Sequence, residues 1–215
     1  MIHARNCFAL AACLLTWCAS TRAGEIDVSV RDTGGKPLGD AVVFADILGG
    51  AAREPAQPAR VTIDQVNREF VPSVTIIRTG TEIFFPNSDN IRHSIYSFSP
   101  PKTFTTKLYS GRQAAPVLFD KPGLVVLGCN IHDTMVAWVV VVDTPYFAKT
   151  AADGSVTLRG LASGDYRISV WYPSAEFTPH LEQVHVGEVP ERRAVTLDAS
   201  ASPLPEVQAR IKAGP

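Results

Sequence analysis

Cysteine and methionine are scarce in this chain. There are four cysteines and two methionines in 215 residues, and Met1, Cys7, Cys13 and Cys18 all fall before residue 20. That opening stretch has the three parts of a secretory signal. Arg5 supplies positive charge, Cys7 to Cys18 is almost wholly apolar, and Thr21-Arg22-Ala23 is a small-residue cleavage site. Its apolar core is too short to span a bilayer, and no later stretch is long enough without charges to do so. A lipoprotein acylated at Cys18 is disfavoured by bulky Trp17, where a small residue is usual. The expected mature protein is exported to the periplasm or secreted, and it holds one cysteine, Cys129, and one methionine, Met135. A lone cysteine in an oxidising compartment has no internal disulfide partner. It is a buried thiol, half of an intermolecular bridge, or a metal ligand.

An excess of either charge is also lacking. The 20 basic and 21 acidic residues nearly cancel, and losing Arg5 and Arg22 with the signal leaves a net charge of −3. No basic run interleaves with aromatics, so nucleic acid is not an expected partner. The mature length of about 190 residues allows one large domain or two small ones.

Helical periodicity is missing as well. Residues 24 to 200 read as nearly all β, in short runs of Val, Ile, Thr and aromatics divided by Gly, Pro, Asn and Asp. Ile26 to Val30 alternates as a half-buried strand should, Thr33 to Pro37 is a turn, and Ala41 to Ala45 is a second strand. Gly49 to Arg60 is rich in Ala, Pro and Gly and reads as a linker. Eight candidate strands follow: Val61–Asp64, Val74–Arg78, Thr81–Phe85, His93–Phe98, Thr103–Tyr109, Val117–Asp120, Leu124–Cys129 and Met135–Asp143. Their spacing fits an antiparallel Greek-key sandwich. Asp153-Gly154 is a hairpin signal, and Ser155–Leu158, Tyr166–Trp171, Gln183–Val186 and Ala194–Leu197 read as further strands. From Ser200 onward the chain is Ala/Pro-rich and reads as a tail, with room for a short helix at Glu206 to Lys212.

The surviving cysteine and methionine lie in one segment, Cys129-Asn-Ile-His132-Asp-Thr-Met135. A thiolate, an imidazole and a thioether at this spacing are three of the four ligands of a mononuclear type 1 copper site. His93 is the best-placed second imidazole. Copper cycles between two oxidation states, and one thiolate with two imidazoles and a weak axial thioether suits both. Cys129 ends an apolar strand and Met135 opens the next, so a tight loop turns three side chains toward one point. Zinc is the chemical rival. It accepts a thioether poorly, but Asp133 in place of Met135 would suit it. His180 and His185 read as ordinary surface or packing histidines. Trp138 and Trp171 read as core aromatics, and Asp120-Lys-Pro-Gly123 as a turn.

Two resemblances follow from these residues. Residues 61 to 143 resemble the cupredoxins, the plastocyanin and amicyanin family of blue copper proteins. Phe84-Phe-Pro-Asn87, five residues and then His93 are similar to that family's first-ligand strand. Gly128 to Met135 is similar to its second-ligand loop, with amicyanin's short His-to-Met gap. The arrangement also resembles plastocyanin-like proteins of methylamine utilisation. The resemblance implies a Greek-key β-sandwich, His93, Cys129, His132 and Met135 as copper ligands, and Asn87 as a supporting residue that ties the two ligand loops together. This loop departs from the family in having Asn130-Ile131 where proline is usual, and Asp133 directly after the histidine. A carboxylate there would lower the potential or steer a basic partner. Val30 to Val43 and Asp153 to Tyr166 are similar to the two ends of a carboxypeptidase regulatory-like (transthyretin-like) sandwich. The implied organisation is a signal at 1–23, the first part of an outer sandwich with its linker at 24–60, a cupredoxin at 61–143, the second part of the outer sandwich at 144–199, and a tail at 200–215.

The expected function is a periplasmic one-electron carrier with an unidentified redox protein partner. The enzymatic copper classes lack their ligands here. A dinuclear oxidase centre needs two cysteines, multicopper oxidases need several His-x-His pairs, and the mature chain has four histidines in all. The alternatives are a copper-binding or delivery protein, or an envelope interaction module whose outer sandwich contacts protein or polysaccharide and whose copper is incidental.

Overall fold

The structure, a computed structural model, describes residues 23–50, 59–111, 115–173 and 179–199. The expected signal up to residue 22, most of the expected linker and the expected tail lie outside the described residues. Within them the protein is all-β, with seventeen strands and no helix. The chain opens with β1 (Gly24–Asp32) and β2 (Val42–Ile47). It continues through β3 (Arg60–Thr62), β4 (Asp64–Val66), β5 (Glu69–Val71), β6 (Val74–Arg78) and β7 (Thr81–Phe84). Then come β8 (Ile95–Ser99), β9 (Lys102–Thr105), β10 (Val117–Phe119), β11 (Gly123–Cys129) and β12 (Val136–Val142). The last five are β13 (Phe147–Lys149), β14 (Ser155–Leu161), β15 (Gly164–Trp171), β16 (His180–Val186) and β17 (Glu191–Leu197).

Period-two burial sorts these strands into stacked layers. The sheets β14-β1-β17 and β13-β2-β15-β16 close over one core that includes Ile26, Val28, Val43, Leu158, Ile168 and Val184. The sheets β10-β7-β3 and β6-β12-β11-β8-β9 close over a second, with Ile63, Ile83, Phe85, Phe119, Leu127 and Val139. The chain leaves the first core after β2 and returns to it after β12.

β12 explains how the two sandwiches meet. All seven of its residues are buried, as expected of a strand covered on both faces rather than one. Ala137, Val139 and Val141 point into the second core. Val136, Trp138, Val140 and Val142 point the other way and pack with Val42 and Trp171 of the neighbouring sandwich. Both tryptophans are therefore core aromatics, placed between the two inner sheets.

Some expectations need correction. Neither sandwich is purely antiparallel: β12 pairs with β6 and β3 with β7 in parallel in the second, and β1 with β17 in the first. Each of these pairs joins strands whose intervening chain has crossed to another sheet. Val61–Asp64 divides into β3 and β4 around fully buried Ile63. The three-residue strands β5 and β13 are too short to read from pattern. Asp153-Gly154 makes a turn, but it joins β13 and β14, which lie in different sheets, so it is a corner and not a hairpin. Gly154 sits at φ 78° with its carbonyl accepting the Val30 amide of β1 at 2.8 Å, and a β-carbon there would collide with the Val30 carbonyl. Tyr166, next to the Gly164 turn, donates its hydroxyl to the Ala162 carbonyl at 3.1 Å, a tie of the tyrosine-corner kind.

Candidate metal centre

The site forms where β11 runs into β12. The apolar strand carries Cys129 into the second core, leaving it 2% exposed, and it is a free thiol. The chain then turns back within a few residues, and the Met135 amide closes the turn by donating to the His132 carbonyl at 3.0 Å. This short path keeps His132 beside Cys129, with the imidazole half-buried. Met135 is 1% exposed and packs in the same apolar cluster as Cys129.

His93 arrives from the other side. It precedes β8, which begins at Ile95, and its backbone is held by a two-way pair with Tyr109, both bonds 2.9 Å. Its side chain is wholly buried. Cys129 Sγ lies 3.6 Å from His93 Nδ1 and 4.0 Å from His132 Nδ1, and the two Nδ1 atoms are 3.3 Å apart. A triangle with these sides has a centre about 2.1 Å from each corner, within the roughly 2.0–2.3 Å that imidazole nitrogen and thiolate sulfur take on a first-row ion such as zinc. Among the described residues these three are the one group of three or more His, Cys, Asp or Glu donors close enough to share an ion. The residues therefore fit a trigonal thiolate–imidazole–imidazole site. Asp133 is exposed and stands outside this group, so the carboxylate that zinc would use is not gathered with the other donors.

The support around the donors differs from what the resemblance implies. Asn87 is buried, but its side chain does not tie the two ligand loops. Its Nδ2 donates to the carbonyls of Ile91 and Tyr109, both at 2.9 Å, and its Oδ1 accepts from the Asp89 amide at 3.0 Å. Asn87 thus braces its own loop and joins it to the Tyr109 segment that pairs with His93. The tie belongs to Asn130 and Ser94, the residues after Cys129 and His93. The Asn130 amide donates to the Ser94 carbonyl, and Asn130 Nδ2 to Ser94 Oγ, each at 3.0 Å. Asn130 occupies a position where proline would have no amide hydrogen to give.

Sequence reasoning also missed Asp89. Its Oδ2 lies 2.7 Å from His93 Nε2. Burial pushes the Asp89 carboxyl up, but the Arg68 amide, His93 and the Asn67 amide outweigh it and hold the group below the usual carboxylate range. The four-residue offset between Asp89 and His93 carries no meaning in an irregular loop, so no pattern pointed to it. Tyr96 packs over Gly128, and burial raises its phenol, helped by nearby Asp133 and Cys129. His180 and His185 are exposed on β16, and His185 Nδ1 sits 2.7 Å from Asp165.

No protein-family model matches the chain, and no curated protein does. Among solved structures, a copper-containing nitrite reductase from Thermus scotoductus SA-01 is 30% identical over 44% of this chain, with a TM-score of 0.36. This chain spans only 24% of that enzyme's length. The reduced Cu(I) form of a point mutant of amicyanin, at pH 4, is 20% identical, covering 46% of this chain and 99% of its own, with a TM-score of 0.36. A purple cupredoxin from Nitrosopumilus maritimus is 23% identical, covering 39% and 99%, with a TM-score of 0.34. Each superposition is loose and partial, and the case for a metal rests on the donor geometry.

Proposed function

We propose that this chain is a periplasmic type 1 copper protein that carries one electron at a time. The supporting observation is the buried triangle of Cys129 Sγ, His93 Nδ1 and His132 Nδ1, with sides of 3.3 to 4.0 Å. Cys129, His93 and His132 would hold the metal, and buried Met135 would supply the weak axial thioether. Bound copper supplies a reversible one-electron couple. The chain's part is to hold the donors still, and three features do so: the His93–Tyr109 backbone pair, the Asn130–Ser94 tie and the short turn from Cys129 to Met135. His132 is the half-buried donor, and neighbouring Ile131 is 50% exposed, which offers an apolar edge to a redox protein partner. In this reading exposed Asp133 adds negative charge beside that edge and favours a basic partner. The outer sandwich frames the copper-binding one, which is inserted between its two parts, and it is the surface for any envelope protein or polysaccharide.

The test is a spectrum. The mature protein with Cu(II) should show an intense thiolate-to-copper visible band, an EPR signal with narrow copper hyperfine splitting, and a reversible couple. Cys129→Ala should abolish the band. A colourless protein that takes up Cu(I) without a reversible couple would overturn the carrier reading in favour of delivery.

A further inference from the structure

The two ring nitrogens of His93 face different chemistry. Nδ1 looks into the donor triangle, 3.6 Å from Cys129 Sγ. Nε2 meets Asp89 Oδ2 at 2.7 Å, with the His93 side chain fully buried and the Asp89 side chain 10% exposed. A carboxylate only accepts, so Nε2 carries the hydrogen and the Nδ1 lone pair is left for the triangle.

Asp89 is itself held in place. Its Oδ1 accepts the Asn67 amide at 2.6 Å, and its Oδ2 accepts the Arg68 amide at 2.9 Å. Those amides are successive at the tip of the β4–β5 hairpin, where Asn67 and Arg68 have φ of 53° and 64°. Two consecutive left-handed residues are what a type I′ hairpin turn requires. Here neither is glycine, and the strained pair brings both N–H groups to one carboxylate. Asp64 of β4 adds a second stitch, accepting the Ser88 hydroxyl at 2.7 Å. The hairpin therefore grips the loop that carries Asp89.

We propose that Asp89 is a positioning residue for His93: it holds the imidazole in the Nε2–H tautomer with Nδ1 toward the metal, and its charge strengthens that nitrogen as a donor to Cu(II) more than to Cu(I). This rests on the copper reading above. Outer partners of metal-bound histidines raise ligand basicity, and their loss costs 10–100-fold in metal affinity. Asp89→Asn keeps the size and one acceptor oxygen while removing the charge. A tenfold loss of Cu(II) affinity relative to Cu(I) corresponds to a rise in midpoint potential of about 59 mV for one electron.

Two measurements decide the proposal, and the first needs no copper. In the metal-free wild-type protein at neutral pH, nitrogen-15 NMR of the imidazoles should show His93 as the Nε2–H tautomer with a slowly exchanging proton. An Nδ1–H tautomer overturns the clamp. In the second, the copper forms of wild type, Asp89→Asn and Asp165→Asn are compared by voltammetry. Asp165 pairs with exposed His185 at the same 2.7 Å, so it controls for loss of a surface carboxylate. Asp89→Asn should retain the visible band and favour Cu(I) by tenfold or more, with Asp165→Asn unmoved. A change under twofold in Asp89→Asn with the band intact overturns the tuning role. If wild type shows no thiolate band at all, the copper reading falls, and with it the tuning, while the tautomer still decides the clamp.

Discussion

Gly128 is the residue whose replacement best tests the packing behind Cys129. It pairs with Tyr96 of β8 and Val136 of β12 and is buried. Its φ is not among the positive values, so only space demands glycine there. A β-carbon would lie 2.7 Å from Tyr96 Cζ, 2.8 Å from its hydroxyl oxygen and 3.1 Å from Cε1, well inside the roughly 3.5–4.0 Å of a relaxed contact. The ring also contacts Phe98, with centroids 5.3 Å apart, so a shift that makes room for the methyl disturbs that contact. Overpacking of this kind costs about 1–3 kcal/mol, against a gain of roughly 0.5–1 kcal/mol from replacing a strand glycine. Gly128→Ala should therefore destabilise by about 1–2 kcal/mol. In a Tyr96→Ala background the same change should be neutral or stabilising, giving a coupling of about 2 kcal/mol in a double-mutant cycle. Urea unfolding of the four proteins, with unchanged m, measures it. A Gly128→Ala protein as stable as wild type, or an equal penalty in both backgrounds, would refute the reasoning.

Trp138→Ala should cost about 3–5 kcal/mol, because the side chain is 7% exposed between the two inner sheets; chemical denaturation reads it, and a loss below 1 kcal/mol would show that the interlayer contact contributes little. Asn130→Ala removes one side-chain bond to Ser94 while the backbone bond persists, so stability should fall by about 1 kcal/mol and the copper EPR lines should broaden. Unchanged lines would mean the backbone bond alone holds the two segments. Stripping copper should lower the thermal midpoint, since a ligand at 100 times its Kd adds about 2.7 kcal/mol, or roughly 5–10 °C for a chain of this size. Calorimetry with and without a chelator measures the difference, and equal midpoints would exclude a preformed native site that binds copper tightly.

Strand identity was largely legible because half-buried strands alternate and turns are marked by Gly, Pro, Asn and Asp. Ile26 to Val30 needed nothing else. Pairing was not legible. β12 reads as one apolar run, and a run has no face, so nothing local shows that Val139 and Trp138 belong to two different cores. The parallel partners β6 and β12 are more than fifty positions apart in the chain, and that meeting is decided by which sheet the chain crosses to between them.

The candidate site divides in the same way. Cys129, His132 and Met135 are close in sequence, so their rarity and spacing bring them to attention before any fold is known. His93 is far from them in sequence, and it was reachable because few histidines compete with it and because Phe84 to Asn87 ahead of it resembles a first-ligand strand. What surrounds the donors is held by contacts between segments that spacing does not encode. The carboxylate behind His93 depends on a hairpin tip at Asn67 and Arg68, and the tie between the ligand segments pairs residue 94 with residue 130. In the sequence Asn130 is one of two residues, with Ile131, that stand between the cysteine and the histidine where the resembling loops usually include a proline. In the fold it is the donor that joins the His93 segment to the Cys129 segment, through both its amide and its side chain.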